Sequence, residues 1–227
     1  MRHFLLLFLL VPCSLILASA PTSQPAVGQF PHIQVDLKNR RIRIECQSLN
    51  PAMPLEFFCV KTGTSEHESV LRTQALPEHI HTALLMLGLQ PGQPVHYDPD
   101  RDKWLPPHGP PLHIYCETQK DNKPLIAPAN LWMRNVNTGQ PAPPFTWVFT
   151  GSRLTDNGTY AANLTGYIVS VVNFDLTVID IPTLAGSDNQ TLQWEFNPDL
   201  VPPAGSPVTL IIEPADAPGP ATTQASK

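Results

Sequence analysis

Residues 40–46 read Arg40-Arg41-Ile42-Arg43-Ile44-Glu45-Cys46. Arg41, Arg43 and Glu45 alternate with Ile42, Ile44 and Cys46. That is the period-two pattern of a strand with one face in water and the other in a core. Upstream, residues 32–37 (HIQVDL) alternate in the same way, and Lys38-Asn39 supplies a turn between the two. Downstream, residues 55–60 (LEFFCV) are apolar except for Glu56, and the proline-marked loop Asn50-Pro51-Ala52-Met53-Pro54 precedes them. The expectation is an antiparallel meander of three strands over residues 31–61. In a hairpin centred on Ala52 and Met53, Cys46 faces Cys59. Directly opposed Cβ atoms lie about 4.5–5.5 Å apart, near enough for a disulfide after modest adjustment. The alternative leaves both as small buried residues on the core face, and a one-residue slip removes the alignment.

The composition of all 227 residues agrees with short elements joined by stiff loops. Apolar residues make up 42%, enough for a packed core. Charged residues are 15%, against roughly 25% in an average soluble protein. Proline occupies 27 positions, more than twice its usual ~5% share, which nearly excludes long helices. A net charge of −5 argues against a nucleic-acid partner.

After the meander, residues 77–89 carry the best helical pattern. Pro77 suits a first turn, Glu78 complements the positive helix end, and Ile80, Ala83, Leu84 and Leu87 recur at helical spacing. Gly88 and Pro91-Gly92 stop it. Residues 90–111 are rich in loops. From Leu112 the pattern turns to strands, near 112–119, 124–127, 131–135, 145–150, 166–173, 176–180, 191–196 and 207–213, with a turn at Asp156-Asn157-Gly158. The fold class is therefore α+β: a mostly antiparallel β-sheet, one principal amphipathic helix at about 77–89, and many proline-rich loops.

The ends read differently. Arg2 and His3 precede an apolar stretch from Phe4 to Leu17, which closes on Ala18-Ser19-Ala20. This is the form of a secretory signal peptide, residues 1–18, with cleavage between Ala18 and Ser19 because Pro21 hinders a later cut. An uncleaved anchor and a lipid on Cys13 are the weaker readings, since Pro12 interrupts the run and sits where a lipobox wants a small residue. Residues 19–30 form a flexible leader and residues 214–227 a disordered tail. No second apolar run is long enough to span a membrane, so the mature chain carries no transmembrane span. Its address is the periplasm, cell surface or medium. Asn157, Asn163 and Asn189 begin glycosylation triplets, which matter only in a host that glycosylates.

Three stretches together resemble a known family. They are Leu55-Glu56-Phe57-Phe58-Cys59-Val60, then residues 63–72 (GTSEHESVLR), then the helix 83–88 (ALLMLG) ending at Pro91-Gly92. They look like the YdjY-type domain, over roughly residues 31–213. Residues 147–153 (WVFTGSR) and 207–212 (PVTLII) resemble its longer exported versions of planctomycete type. The family has no established activity, catalytic residue or cofactor, so the resemblance implies fold and export and little chemistry. A ferredoxin-like description of some members does not carry over, because the clustered cysteines of an iron–sulfur site are missing here.

Several polar groups invite a chemical reading. Glu66-His67-Glu68 and Glu78-His79-Ile80-His81 offer imidazole and carboxylate ligands for a divalent metal, with His67, Glu68 and His81 the weak candidates. His79 and His81 are two apart on a helix and cannot chelate together. The blander reading makes Ser65-x-x-Glu68 a capping box and leaves both histidines at the solvent edge. His96, His108, His113 and Cys116 form a second group, but His113 and Cys116 point to opposite faces of a strand. Ser69 and His67 are badly spaced for nucleophilic catalysis, and G-x-S-x-G, P-loop and G-x-G-x-x-G patterns are absent. Arg41 and Arg43 read as a solvated strand face. Trp147 and Trp194 read as core. Trp104, among Asp and Pro, reads as exposed and hints at contact with carbohydrate or protein.

The sequence thus points to an exported, non-enzymatic binding or envelope-associated domain, with no catalytic set and no cofactor. Its expected partner is a protein or glycan of the envelope. The alternative is a metal-binding or redox accessory protein using His67, His81 or the cysteines.

Overall fold

The computed structural model describes residues 30–120, 123–187 and 192–221. The expected signal peptide, most of the expected leader, the Asn189 triplet and residues 222–227 lie outside the described residues. The first half of the chain contributes β1 (Ile33–Asp36), β2 (Arg41–Ser48), β3 (Phe57–Lys61), β4 (Ser69–Thr73), helix α1 (Pro77–Met86), β5 (His96–Asp98), β6 (Lys103–Leu105) and β7 (Pro111–Lys120). The second half adds β8 (Lys123–Pro128), β9 (Met133–Asn135), β10 (Trp147–Phe149), helix α2 (Ala161–Thr165), β11 (Tyr167–Ser170), β12 (Ile179–Asp180), β13 (Trp194–Phe196) and β14 (Pro207–Pro214).

The main sheet closes on itself. Its order is β2-β14-β7-β10-β12-β11-β3-β4, and β4 pairs back to β2, which makes an eight-strand barrel. β1 and β8 extend it at β2 and β7. The strand-rich expectation holds, but the sheet is not simply antiparallel. β3 with β4 and β11 with β12 run parallel. Parallel neighbours usually need a long crossover. Here the connections 62–68 and 171–178 suffice, because each need only return along a strand of a few residues.

The alternation of β2 sets the interior. Ile44, Leu210 and Cys116 lie side by side on β2, β14 and β7, and Ile42, Ile212 and Ile114 form the next row. All six belong to one buried cluster with Leu71, Trp147 and Phe149. Helix α1 adds Ile80, Ala83 and Leu84 to that cluster, as its spacing predicts. The turn at 156–158 forms, with Thr155 and Thr159 bonded across it and Gly158 at φ +79°.

Closure depends on a strand the sequence reading missed. The sequence pattern marks Ser65-x-x-Glu68 as a capping box closing a short helical turn and assigns no strand to residues 69–73. Only Glu66–Glu68 is helical, a single 3₁₀ turn whose N-cap Ser65 makes no side-chain cap bond. The Ser69 hydroxyl instead donates to the Ser65 carbonyl (2.5 Å), and the chain extends into β4. β4 then inserts between β2 and β3, so Thr73 faces Cys46 and Leu71 faces Cys59. The expected β2–β3 hairpin is therefore wrong: the loop at 49–56 leads past a strand position that a later segment fills.

The outer face of β2 also departs from expectation. Arg43 meets Glu117 at 3.0 Å, but Arg41 is largely buried beside Glu213, whose carboxylate is fully buried at 3.5 Å. Burial pushes the Glu213 carboxyl upward and Arg41 pulls it back. Residues 214–221 follow along this face, with Ala215 donating to the Pro111 carbonyl and Asp216 pairing with Arg40 at 3.0 Å.

Because Ile44 and Glu45 occupy opposite faces of one strand, they separate core from surface effects. Ile44→Ala is expected to lower the unfolding free energy by about 2–5 kcal/mol, and Glu45→Ala to change it by about 0.5 kcal/mol or less. Denaturant unfolding followed by far-UV circular dichroism measures both.

Candidate functional site

Two features project from the barrel wall. The first is the β5–β6 hairpin. Tyr97 and Trp104 are directly opposed across it, with ring centroids 5.8 Å apart at 66°. Trp104 is 57% and Tyr97 46% exposed, so two large rings face solvent together. The tip is ordered by its own carboxylates. Asp98 Oδ1 accepts from the Asp100 and Arg101 amides, and the Tyr97 hydroxyl donates to Asp102. That last bond holds the Tyr97 hydroxyl above its usual pKa. The base is clamped by backbone bonds: Gln93 and His108 exchange both amides, and Gly92 N–H donates to the Phe149 carbonyl on β10 (2.9 Å). Only glycine allows this approach. A Cβ on Gly92 would lie 1.9 Å from the His108 carbonyl oxygen, and one on Gly109 would lie 2.1 Å from that of Phe149. The Pro91-Gly92 helix stop of the sequence is thus also the mount of the hairpin.

The second feature is a cleft of about 440 Å³ beside α1, lined by His81, Glu78, Gly151, Ser152, Arg153 and Tyr160 among others. His81 Nδ1 lies 3.0 Å from the Tyr160 hydroxyl and 3.2 Å from the Gly151 carbonyl, and the Tyr160 hydroxyl also donates to Gly151 O (3.0 Å). With the tyrosine proton on the carbonyl, Nδ1 carries the imidazole proton and Nε2 keeps its lone pair. Burial lowers the His81 pKa and raises that of Tyr160, so both are neutral near pH 7. Gly151 has φ +85°, and a side chain there would collide with Pro91 and His81. Ser152 follows at φ +56°, and its hydroxyl is spent on the Leu176 carbonyl (2.7 Å). Arg153 is tied to Asp175. The arrangement orients an imidazole but sets no nucleophile against it.

The profile of the YdjY domain matches residues 33–213. The chain belongs to the YdjY domain family. Comparisons with curated proteins and with solved structures find no match.

In this YdjY domain the other sequence-marked residues scatter. His67 is exposed and lies 3.7 Å from its neighbour Glu68, and Glu66 pairs with Arg72. His79 packs against Phe30 in a tilted pair, with centroids 5.0 Å apart, while His81 turns to Phe149 and Tyr160. No three His, Cys, Asp or Glu side chains among the described residues are placed to hold a metal ion. His113 and Cys116 do take opposite faces, Cys116 inward and His113 outward against Tyr115. Trp147 is core, whereas Trp194 is only half buried.

The three described cysteines are buried free thiols. Cys46 and Cys59 sit 4.1 Å apart with no bond between them. They meet across the narrow interior, not across a hairpin, since β4 separates their strands. Burial holds Cys116 protonated, and the Cys46 thiol together with burial does the same for Cys59.

Sequence reasoning missed Asp180 altogether. It is fully buried on β12. Oδ1 accepts from the Ser170 hydroxyl (2.9 Å), the Asn173 amide (3.2 Å) and the Ile181 N–H (2.7 Å), and Oδ2 from the Phe174 N–H (3.3 Å). Burial pushes its pKa from 3.8 to about 7, against the pull of those donors. An acid raised by folding holds its proton where the unfolded chain has lost it. Between pH 3.8 and about 7 it therefore makes the fold more stable as pH falls. Unfolding free energies of the wild type across this interval should show that trend, and Asp180→Asn should flatten it. An equally steep trend in the variant would assign it to other groups.

Proposed function

We propose that this YdjY domain is an exported, non-enzymatic binding module that holds a glycan of the cell envelope through the β5–β6 hairpin. The observation that carries this reading is the solvent-facing Tyr97–Trp104 pair on a clamped base. Large aromatic rings exposed side by side on a soluble surface favour contact with a partner that has apolar faces and polar edges. Sugar rings have that character: axial C–H groups pack on an aromatic face while hydroxyls exchange hydrogen bonds with charged neighbours. Asp100, Arg101 and Lys103 surround the pair and supply such partners. A pre-ordered tip lowers the entropy cost of binding.

Two further considerations support the reading. The basic, apolar and small-residue order of positions 1–20 favours export, which brings the domain to envelope glycans. The His81 cleft lacks a nucleophile, and the three described cysteines are buried, so neither offers a ready chemistry. No helix among the described residues is long and apolar enough to cross a membrane.

Sedimentation with purified cell-wall glycan tests the proposal. Wild-type protein should co-sediment, and Trp104→Ala or Tyr97→Ala should weaken retention about tenfold or more with an unchanged melting curve. Undiminished retention by both variants, or retention only by a protein component of the wall, overturns it. Material recovered from outside the cell should begin at Ser19. A chain that starts at Met1 and stays in the cell interior would refute the export step.

A further inference from the structure

A cavity of about 640 Å³ opens between the loops that follow β11 and β12. Its walls include Phe145, Val171, Val172, Ile181, Leu184 and Trp194, and no ionisable side chain among the described residues lines it. That volume falls within the roughly 300–1,000 Å³ range of small-molecule sites. Polar atoms are sparse: Thr146, Thr183, Gln193 and Trp194 are the side chains with hydrogen-bonding groups among the described residues that line it. Leu184 stands at the mouth, 54% exposed.

The walls are built in advance. Asn173 N–H donates to the Ala185 carbonyl (2.9 Å), and the Ala185 N–H returns a bond to Asn173 Oδ1 (2.8 Å). The Asn173 amide reaches the Ile181 carbonyl (3.3 Å) and Asp180 Oδ1. Asp180 holds both loops at once, through Phe174 N–H on one and Ile181 N–H on the other. Beneath them Trp147 donates to the Ser170 carbonyl (3.0 Å) and packs on Phe145, with centroids 4.3 Å apart. All the strong hydrogen bonding lies behind the walls and leaves an apolar surface toward the cavity. A carboxylate, phosphate or ammonium group would enter with no partner to offset its desolvation.

We infer that this cavity is a binding site for a neutral, largely apolar small molecule carrying one hydroxyl, amide or ester group, which the Thr146, Thr183 and Trp194 donors would engage. The site is separate from the aromatic hairpin. A neutral apolar ligand gains from burying its surface, and the fixed walls keep the ordering cost low.

The test is titration of the purified chain with N-phenylnaphthylamine, a neutral apolar fluorophore, read by its own emission and by energy transfer from tryptophan. One saturable site per chain is expected. Leu184→Asp, at an exposed position that leaves the core intact, should weaken it about tenfold, and Ala185→Trp should fill the cavity and abolish it. Trp104→Ala should leave it unchanged. An anilinonaphthalene sulfonate, of similar shape but anionic, should bind about tenfold more weakly. Absence of saturable binding, or equal binding by wild type and Leu184→Asp, overturns the site. Loss on Trp104→Ala moves the probe to the hairpin and likewise overturns it. Equal affinity for the anionic probe overturns the assignment to neutral ligands.

Discussion

Three backbone pairs between β2 and β4 hold the molecule closed: Cys46 with Thr73, Gln47 with Arg72, and Ser48 with Leu71. Around them the Thr73 hydroxyl donates to the Glu45 carbonyl (2.7 Å) and the Leu49 N–H to that of Val70 (2.8 Å). An open sheet of this size would present two edges of unpaired amides and carbonyls. Closure pairs the edges of the eight barrel strands with each other and turns one face of the alternation in β2, β14 and β7 into a common interior. The cost is a barrel interior too narrow for anything but side chains. Cys46 and Cys59 meet there as packed thiols.

Since the interior is full, anything the domain binds must be held outside it. The barrel walls carry two loop systems with opposite chemistry. The 88–111 connection pins a hairpin against β10 by backbone contacts that need Gly92 and Gly109, and shows its aromatic pair to solvent. The loops after β11 and β12 are tied from behind by Asp180 and Asn173 and enclose an apolar hollow. In both cases a stiff support is made from polar groups that are internally satisfied, and the presented surface is apolar. The His81 cleft is the reverse. Its polar atoms bond to one another, and the strained Gly151-Ser152 turn is explained by the packing of His81 and Pro91 against it.

Much of this is legible in the sequence. The alternation at 40–46, the helix from Pro77 and its stop at Gly88, the late run of strands, and the exposure of Trp104 all follow from local pattern and turn chemistry. Within residues 63–73 the same reasoning failed, because Ser65-x-x-Glu68 has the letters of a capping box and the short 3₁₀ turn gave way at once to β4. Asp180 and Glu213 were unmarked because a single carboxylate inside a strand has no signature. Their burial comes from segments that fold over them from elsewhere in the chain.

The residues alone determined most of the stretches that extend, the principal helix, and the inward side of strands such as β2 whose alternation is strict. Side-chain period and backbone preference act over a few positions and are written locally. Tertiary structure decided which strand lies next to which, that the sheet closes, and where the hollows fall. Those outcomes depend on backbone partners far apart in sequence, and a strand's free N–H and C=O groups accept any neighbour of suitable direction. Only the simultaneous filling of one interior selects β4, and not β3, as the neighbour of β2.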